Sequence, residues 1–249
     1  MELSRRLQAV ADLLSGGLRI ADIGCDHGFL SIYLVQTRKA SGCIAMDVNR
    51  GPLERAEENV DRQGLSTYIE TRLSDGAKAL RSGETEAAVL AGMGGRLMIR
   101  IIEDSLEKFL EMKEFVLQPQ SEIAGVRRFV RRIDCVITAE DIVLEDGKFY
   151  PMMKVERKMV KEAEKAEERG SLPEEQRGSL SETQELFDTF GEFLLKGRHP
   201  VLKQFLEKEK KQQEGVLLQL KQQASQRSKK RAEEIEKELE KIQQGLEWF

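Results

Sequence analysis

Residues Leu18–Leu30 constrain this chain more than any other stretch: Leu-Arg-Ile-Ala-Asp-Ile-Gly-Cys-Asp-His-Gly-Phe-Leu. A short apolar run ends in an acid, glycines follow at 24 and 28, and an apolar pattern at helical spacing begins after the second glycine. That order predicts a buried parallel strand running into a tight turn and a helix, with the backbone of the turn open to a ligand. The spacing is Asp-x-Gly-x-Asp-x-Gly, and Asp26 stands where a dinucleotide fingerprint carries its middle glycine. Asp22 at the strand end repels a pyrophosphate and suits a cationic ligand.

Strand–helix alternation continues to about residue 157. An amphipathic helix over Arg5–Leu14 precedes the Leu18–Ile23 strand. Further buried strands are predicted over Cys43–Asp47, Tyr68–Leu73, Ala87–Ala91 and Glu114–Gln118. Pro52 opens one intervening helix and Gly64 closes it. Ile133–Leu144 and Tyr150–Val155, joined around Glu145-Asp146-Gly147-Lys148, predict a final antiparallel pair at a sheet edge. The class is α/β with a doubly wound, mainly parallel sheet.

Beyond this the chain is almost all Glu, Lys, Gln, Arg, Leu and Phe at helical spacing. Ile235, Leu239, Ile242 and Leu246 form a heptad seam. Val201, Phe205, Leu217 and Leu220 predict a facing helix, with a turn near Ser225. Leu186, Phe190, Phe193 and Leu194 predict an earlier helix, broken by Gly197-Arg198-His199-Pro200. The pattern fits an antiparallel helical hairpin or a small coiled coil, behind an irregular linker over Gly170–Gly178. The expected domains are 1–157 and 158–249.

Composition excludes several classes. A net charge of −4 is wrong for a general nucleic-acid magnet, so RNA binding would rest on local patches. The three cysteines are widely separated and the chain holds two histidines, so no metal-ligand spacing exists and no metal is expected. The cysteines read as reduced core residues. No apolar run reaches membrane length, and the N-terminus carries no apolar leader. The expectation is a soluble, cytoplasmic protein with no membrane partner.

The chemistry-bearing residues lie at predicted strand ends. Asp22, Gly24 and Gly28 are candidates to receive the amino-acid end of a ligand. Asp47, ending the second strand, is placed to accept from two ribose hydroxyls. Asp75 in Ser74-Asp75-Gly76 is placed to accept from an adenine amine. S-adenosyl-L-methionine carries a sulfonium and an ammonium and no phosphate, which suits this set. Asp26 is a candidate to bind the ligand ammonium or orient a substrate base; a local turn contact is the alternative. His27 reads as either a proton shuttle or a positioning group. Ala91-Gly92-Met93-Gly94-Gly95 stands where a methyl acceptor would sit, without the Asn/Asp-Pro-Pro-aromatic motif used for exocyclic amines. A ring nitrogen with a free lone pair needs no prior deprotonation, so in-line displacement with positioning suffices. Met93 lines that site or simply packs, and Gln118 is a candidate amide contact to a base edge. Arg127, Arg128, Arg131 and Arg132 fall on one predicted helix as a candidate phosphate patch, or as a solvated face pairing with nearby acids. Lys229-Lys230-Arg231 at the hairpin tip is a weaker candidate.

Asp22–Leu30, Ala91-Gly92-Met93-Gly94-Gly95 and Leu117-Gln118-Pro119-Gln120 together resemble the bacterial tRNA (adenine-22-N1)-methyltransferase family. The resemblance extends through the final hairpin into the helical tail. It implies a Rossmann-like S-adenosylmethionine-dependent methyltransferase domain, a C-terminal coiled-coil domain acting as a tRNA-binding arm, and methyl transfer to N1 of adenine 22 in tRNA. It places Asp22, Gly24, Gly28, Asp47 and Asp75, with Gly92 beside them, at the cofactor, and Asp26, His27, Phe29, Met93 and Gln118 around the acceptor. Ser31 stands where the family is expected to carry Pro, a departure expected to alter only the helix start. Two other classes remain: a methyltransferase for another acceptor, and an RNA-binding helical module with a vestigial cofactor site. Oligomeric state is open.

Overall fold

The computed structural model describes residues 2–158, 174–222 and 226–249. The chain divides into two compact units, Met1–Ser171 and Leu172–Phe249. In the first, α1 (Arg5–Leu13), β1 (Leu18–Ile23), α2 (Phe29–Gln36), β2 (Ala40–Asp47), α3 (Arg50–Arg62), β3 (Ile69–Leu73) and β4 (Ala87–Met93) are followed by α4 (Gly95–Glu103), α5 (Leu106–Glu111), β5 (Glu114–Pro119), α6 (Ile123–Arg132), β6 (Cys135–Glu145) and β7 (Lys148–Arg157). One sheet runs in the order β3-β2-β1-β4-β5-β7-β6. β1 to β5 pair in parallel, and β7 lies antiparallel between β5 and β6. The final hairpin therefore sits at the sheet edge as expected, with its second strand turned inward.

β4 and residues 43–46 of β2 are apolar at every position because both faces of the sheet are covered there. In β2, Cys43 and Ala45 pack in one buried cluster, while Ile44 and Met46 pack in the other. β4 repeats the pattern, with Ala87 and Val89 on one side and Ala88 and Leu90 on the other. Val10 of α1, Ile32 of α2 and Val60 of α3 belong to the first cluster; Met98 of α4, Phe109 of α5 and Phe129 of α6 belong to the second. The period-2 alternation of a strand thus assigns three helices to each face. The chain order reverses between β1 and β4, and that switch opens a crevice at the carboxyl ends of the strands. Cys25, Cys43 and Cys135 are free and buried; burial pushes all three thiols up, Cys135 to about 11.

The second unit holds α7 (Glu174–Phe190), α8 (Glu192–Lys196), α9 (Pro200–Lys221) and α10 (Gln226–Leu246). α9 and α10 form an antiparallel hairpin, since Lys210 donates to Gln243 at 2.8 Å and Lys221 pairs with Glu236 at 2.7 Å. Ile235 and Ile242 of the expected seam are buried, as are Leu202 and Leu206 of α9. Gly245 lets α10 come close: a Cβ there would stand 3.2 Å from Phe190 and 3.3 Å from Leu206. Three expectations shift. The helix holding Leu186 and Phe190 breaks first at Gly191, whose φ of 99° favours glycine, and not only at Gly197. Residues 174–178 of the expected linker are helical, while Gly170–Pro173 and the turn at Ser225 lie outside the described residues. Lys229-Lys230-Arg231 falls in the first turns of α10, where Arg231 pairs with Glu234 and Glu238. Among the described residues no helix is long and apolar enough to cross a membrane, and no group of three or more His, Cys, Asp and Glu could hold a metal ion.

Candidate active site

The β1–α2 loop is built around one buried acid. Asp22 is 4% exposed, and its carboxylate accepts from Ser31 Oγ at 2.7 Å and from the Ser31 backbone N–H. Burial raises its pKa to about 6, against the bonds from Ser31, and the nearby Asp47 charge adds to the rise. Ser31 is itself fully buried. It therefore anchors the carboxylate in addition to shaping the helix start, which goes beyond what the sequence suggested for it.

This arrangement has a measurable consequence. With a folded pKa near 6 and an ordinary value of 3.8, the folded state binds more protons than the unfolded state between those values. Ionised and buried above pH 6, Asp22 weakens the fold, and the penalty is relieved as pH falls toward 4. Between pH 7 and 5 the ligand-free protein should gain stability relative to Asp22→Asn, by about 1.4 kcal/mol per pKa unit at most. Denaturant midpoints for the two proteins that run parallel across this range would show that Asp22 is not buried as an ion.

The loop turns on Gly24 and Gly28, with φ of 79° and 72°. A Cβ on Gly28 would stand 3.1 Å from Ala56 Cβ, so that glycine also lets α2 approach α3. The amides of Gly24 and Cys25 both donate to the Met46 carbonyl. Asp26 takes φ 50°, a left-handed conformation that Asp tolerates better than most residues, and its carboxylate is exposed. His27 Nε2 lies 3.5 Å from Asp26 Oδ1, and the His27 ring stacks on Phe29 with centroids 5.4 Å apart. Asn59 of α3 donates to the His27 carbonyl at 3.0 Å. Phe29 is 41% exposed, unusual for a large apolar side chain opening a helix.

At the next strand ends, Asp47 is 9% exposed and one carboxylate oxygen accepts from Asn49 N at 2.8 Å. Asp75 lies at the end of β3, exposed, paired with Lys78, which holds its carboxyl below the usual range. Gly76 is forced by space as well as by its φ of 61°, since a Cβ would stand 2.9 Å from Ile101.

β4 runs past Ala91 to Met93 through a register shift against β5, with Gly92 at φ 80°. The glycine motif therefore begins as a bulged strand end, two residues beyond the predicted Ala87–Ala91 strand. Met93 Cε would lie 3.2 Å from a Cβ on Gly24, so the two glycine-bearing loops close against each other. Gln118 is fully buried; its amide oxygen accepts from Arg6 Nη1 at 2.8 Å and its amide nitrogen donates to the Pro119 carbonyl at 3.3 Å. The protein thus engages both ends of the amide that the sequence offered as a base-edge contact, and one of its partners is Arg6.

Residues 3–153 match the methyltransferase-domain family. The tRNA (adenine(22)-N(1))-methyltransferase of Bacillus subtilis is 36% identical over 156 residues, 63% of this chain and 66% of that protein, just under two thirds of its length. The crystal structure of the B. subtilis M1A22 tRNA methyltransferase TrmK matches with a TM-score of 0.79 at 28% identity, covering 98% of this chain and 99% of that one. The chain belongs to the tRNA (adenine-22-N1)-methyltransferase family. The protein Sp1610 of Streptococcus pneumoniae, solved in complex with S-adenosyl-L-methionine, matches at 29% identity with a TM-score of 0.80, covering 98% of this chain and 100% of that one.

The arginine run is where the structure departs most from the sequence reading. Arg127 is 2% exposed and its Nε lies 2.7 Å from Glu140 Oε1 on β6. It binds the helix to the sheet and offers nothing to a phosphate. Arg128, Arg131 and Arg132 are exposed, with Arg132 over the Phe129 ring. Sequence reading also missed Arg6, Tyr150 and Asn59. The guanidinium of Arg6 lies 5.6 Å from the Tyr150 ring centroid. No local pattern marks a residue whose partner lies 32 positions away, as for Asn59 and His27, or more than a hundred, as for Arg6.

Proposed function

We infer that this chain transfers the methyl group of S-adenosyl-L-methionine to N1 of adenine 22 in tRNA. The observation that carries the reading is the closure of the Gly24 loop against Met93 at the carboxyl ends of β1 and β4, with Asp22 and Asp47 buried beside it. Two buried acids and a turn with Asp26 in place of the dinucleotide fingerprint's middle glycine suit a cationic ligand, and family membership supplies the acceptor. Asp47 accepts from the ribose hydroxyls, Asp75 and Gly92 flank the cofactor, and the Gly24–Gly28 backbone receives its amino-acid end. When bound, the cofactor supplies an electrophilic methyl group on sulfonium. The adenine N1 lone pair forms the new N–C bond as the S–C bond breaks, leaving N1-methyladenine and S-adenosylhomocysteine. No base is needed before attack, so Asp26, His27, Phe29 and Met93 act by placing the base. N1 lies on the Watson–Crick edge, so the adenine must leave its pair, and the stack of half-buried His27 on exposed Phe29 is a surface for it.

We propose the helical unit, whose α9–α10 seam has heptad spacing and is read as a short coiled coil, as the arm that orients tRNA. Arg128, Arg131 and Arg132 are the proposed phosphate contacts on the first unit. The test is methyl transfer to unmodified tRNA with the modified nucleoside mapped. Methylation at N1 of adenine 22 supports the reading, and transfer to protein or small molecules alone overturns it. Asp47→Ala should weaken cofactor binding by about 1–3 kcal/mol, the loss of hydrogen bonds to a charged acceptor. Calorimetry showing unchanged affinity would mean that the ribose is held elsewhere.

A further inference from the structure

Arg6 sits in the first turn of α1, where the helix dipole disfavours cations and no acidic residue offsets it. Its guanidinium reaches three strand ends at once. Nη1 bonds Gln118 on β5 at 2.8 Å. The same atom lies 3.1 Å from where a Gly92 Cβ on β4 would stand. The Tyr150 ring of β7 lies 5.6 Å from its central carbon. All three strand ends border the edge of the sheet that carries the methyl-acceptor motif, because β7 runs antiparallel and begins where β4 and β5 finish.

The partners of this half-buried cation are a neutral amide and an aromatic face. Among the described residues Arg6 makes no ion pair, and one of its five N–H groups is bonded. Holding a cation here without a carboxylate is unfavourable unless an anion arrives from outside. Gln118, fully buried and tied to the Pro119 carbonyl, fixes the guanidinium instead of neutralising it. Gly92 is the residue that leaves room: any side chain there would meet Arg6 Nη1. An Arg fork fixed at Nη1 and uncompensated is suited to a phosphate, which it can take through two parallel bonds.

We propose that Arg6 receives the phosphate backbone at the nucleotide entering the acceptor pocket, with Gln118, Tyr150 and Gly92 holding it ready. This rests on the tRNA methyltransferase reading and adds an acceptor-positioning residue to it. It also explains how a chain of net charge −4 takes hold of the target nucleotide.

The test measures tRNA binding against salt, methyl transfer and cofactor affinity for the parent, Arg6→Gln and Arg6→Lys. Arg6→Gln should weaken tRNA binding by roughly tenfold and reduce the slope of log affinity against log salt by roughly 0.7–0.9, one phosphate contact. Its cofactor affinity and melting temperature should match the parent. Arg6→Lys should restore the salt slope, because the charge returns, while transfer stays below the parent because the planar fork is lost. A salt slope unchanged in Arg6→Gln overturns the proposal. So does a matched fall in cofactor affinity and melting temperature, which would make Arg6 a brace between α1 and the sheet. If the parent binds tRNA but transfers no methyl group, the enzymatic reading fails, and the slopes still decide whether Arg6 holds phosphate. If the parent does not bind tRNA, both fail.

Discussion

Glu140→Ala is expected to destabilise the first unit by about 3–5 kcal/mol, the cost of removing one member of a buried ion pair. Glu140 is fully shielded on its side chain, Arg127 is 3% exposed on its own, and the two meet at 2.7 Å. Removing the carboxylate takes from Arg127 its ion pair with Glu140, and the guanidinium cannot reach water without pulling α6 from β6. The double variant Arg127→Met/Glu140→Leu should recover most of the loss, since both charges leave together and the volume is roughly kept. Equilibrium denaturation of the three proteins checks this. A Glu140→Ala variant within about 0.5 kcal/mol of the parent, the ordinary range for surface positions, would mean that the pair is open to solvent.

Ending the chain at Ser171 should separate binding from transfer. All seven strands of the sheet lie before Ser171, so the shortened chain should fold and bind S-adenosyl-L-methionine as the parent does. Transfer to tRNA should fall on the order of 100-fold or more, because a substrate that large must be oriented by more than its target base, and small misplacements are costly. Measuring cofactor affinity and single-turnover transfer on the same preparation gives both numbers. Transfer at the parent rate would show that the helical unit is not the tRNA arm.

The cofactor affinity of the full chain should also weaken as pH falls through about 6, opposite in sign to the stability gain at Asp22. Protonation removes the negative charge that suits a cation while relieving the buried ion. The two slopes measured on one protein distinguish an acid that serves the ligand from one that serves the loop alone.

Much of this was readable from residue order. Leu18–Leu30 signalled strand, turn and helix because apolar runs, strand-end acids and positive-φ glycines are local properties. The same holds for β2 ending at Asp47 and for the seam at Ile235 and Ile242. The approach of Met93 to Gly24 was not readable, because it depends on β1 and β4 being neighbours across the switch in strand order. The bulge at Gly92 was not readable either: glycine permits an open turn and a bulge equally, and pairing with β5 decides between them.

The arginines show the limit most clearly. Residues 127, 128, 131 and 132 share one broad helix face by spacing, yet the first is buried against Glu140 while the other three are exposed. Helical periodicity fixes which residues lie together on a face, and only the element packed against the helix decides where that face meets protein and where it meets water. Asp22 and Ser31 follow the same rule: their spacing was visible, but not the burial that turns a hydroxyl into the anchor of a carboxylate. Arg6 was invisible for a stronger reason. Its meaning lies in Gln118, Tyr150 and Gly92, brought to one end of the sheet by strand order, so sequence alone determined the elements and the chemistry at their ends, while tertiary structure decided which charges are compensated and which are left for a ligand.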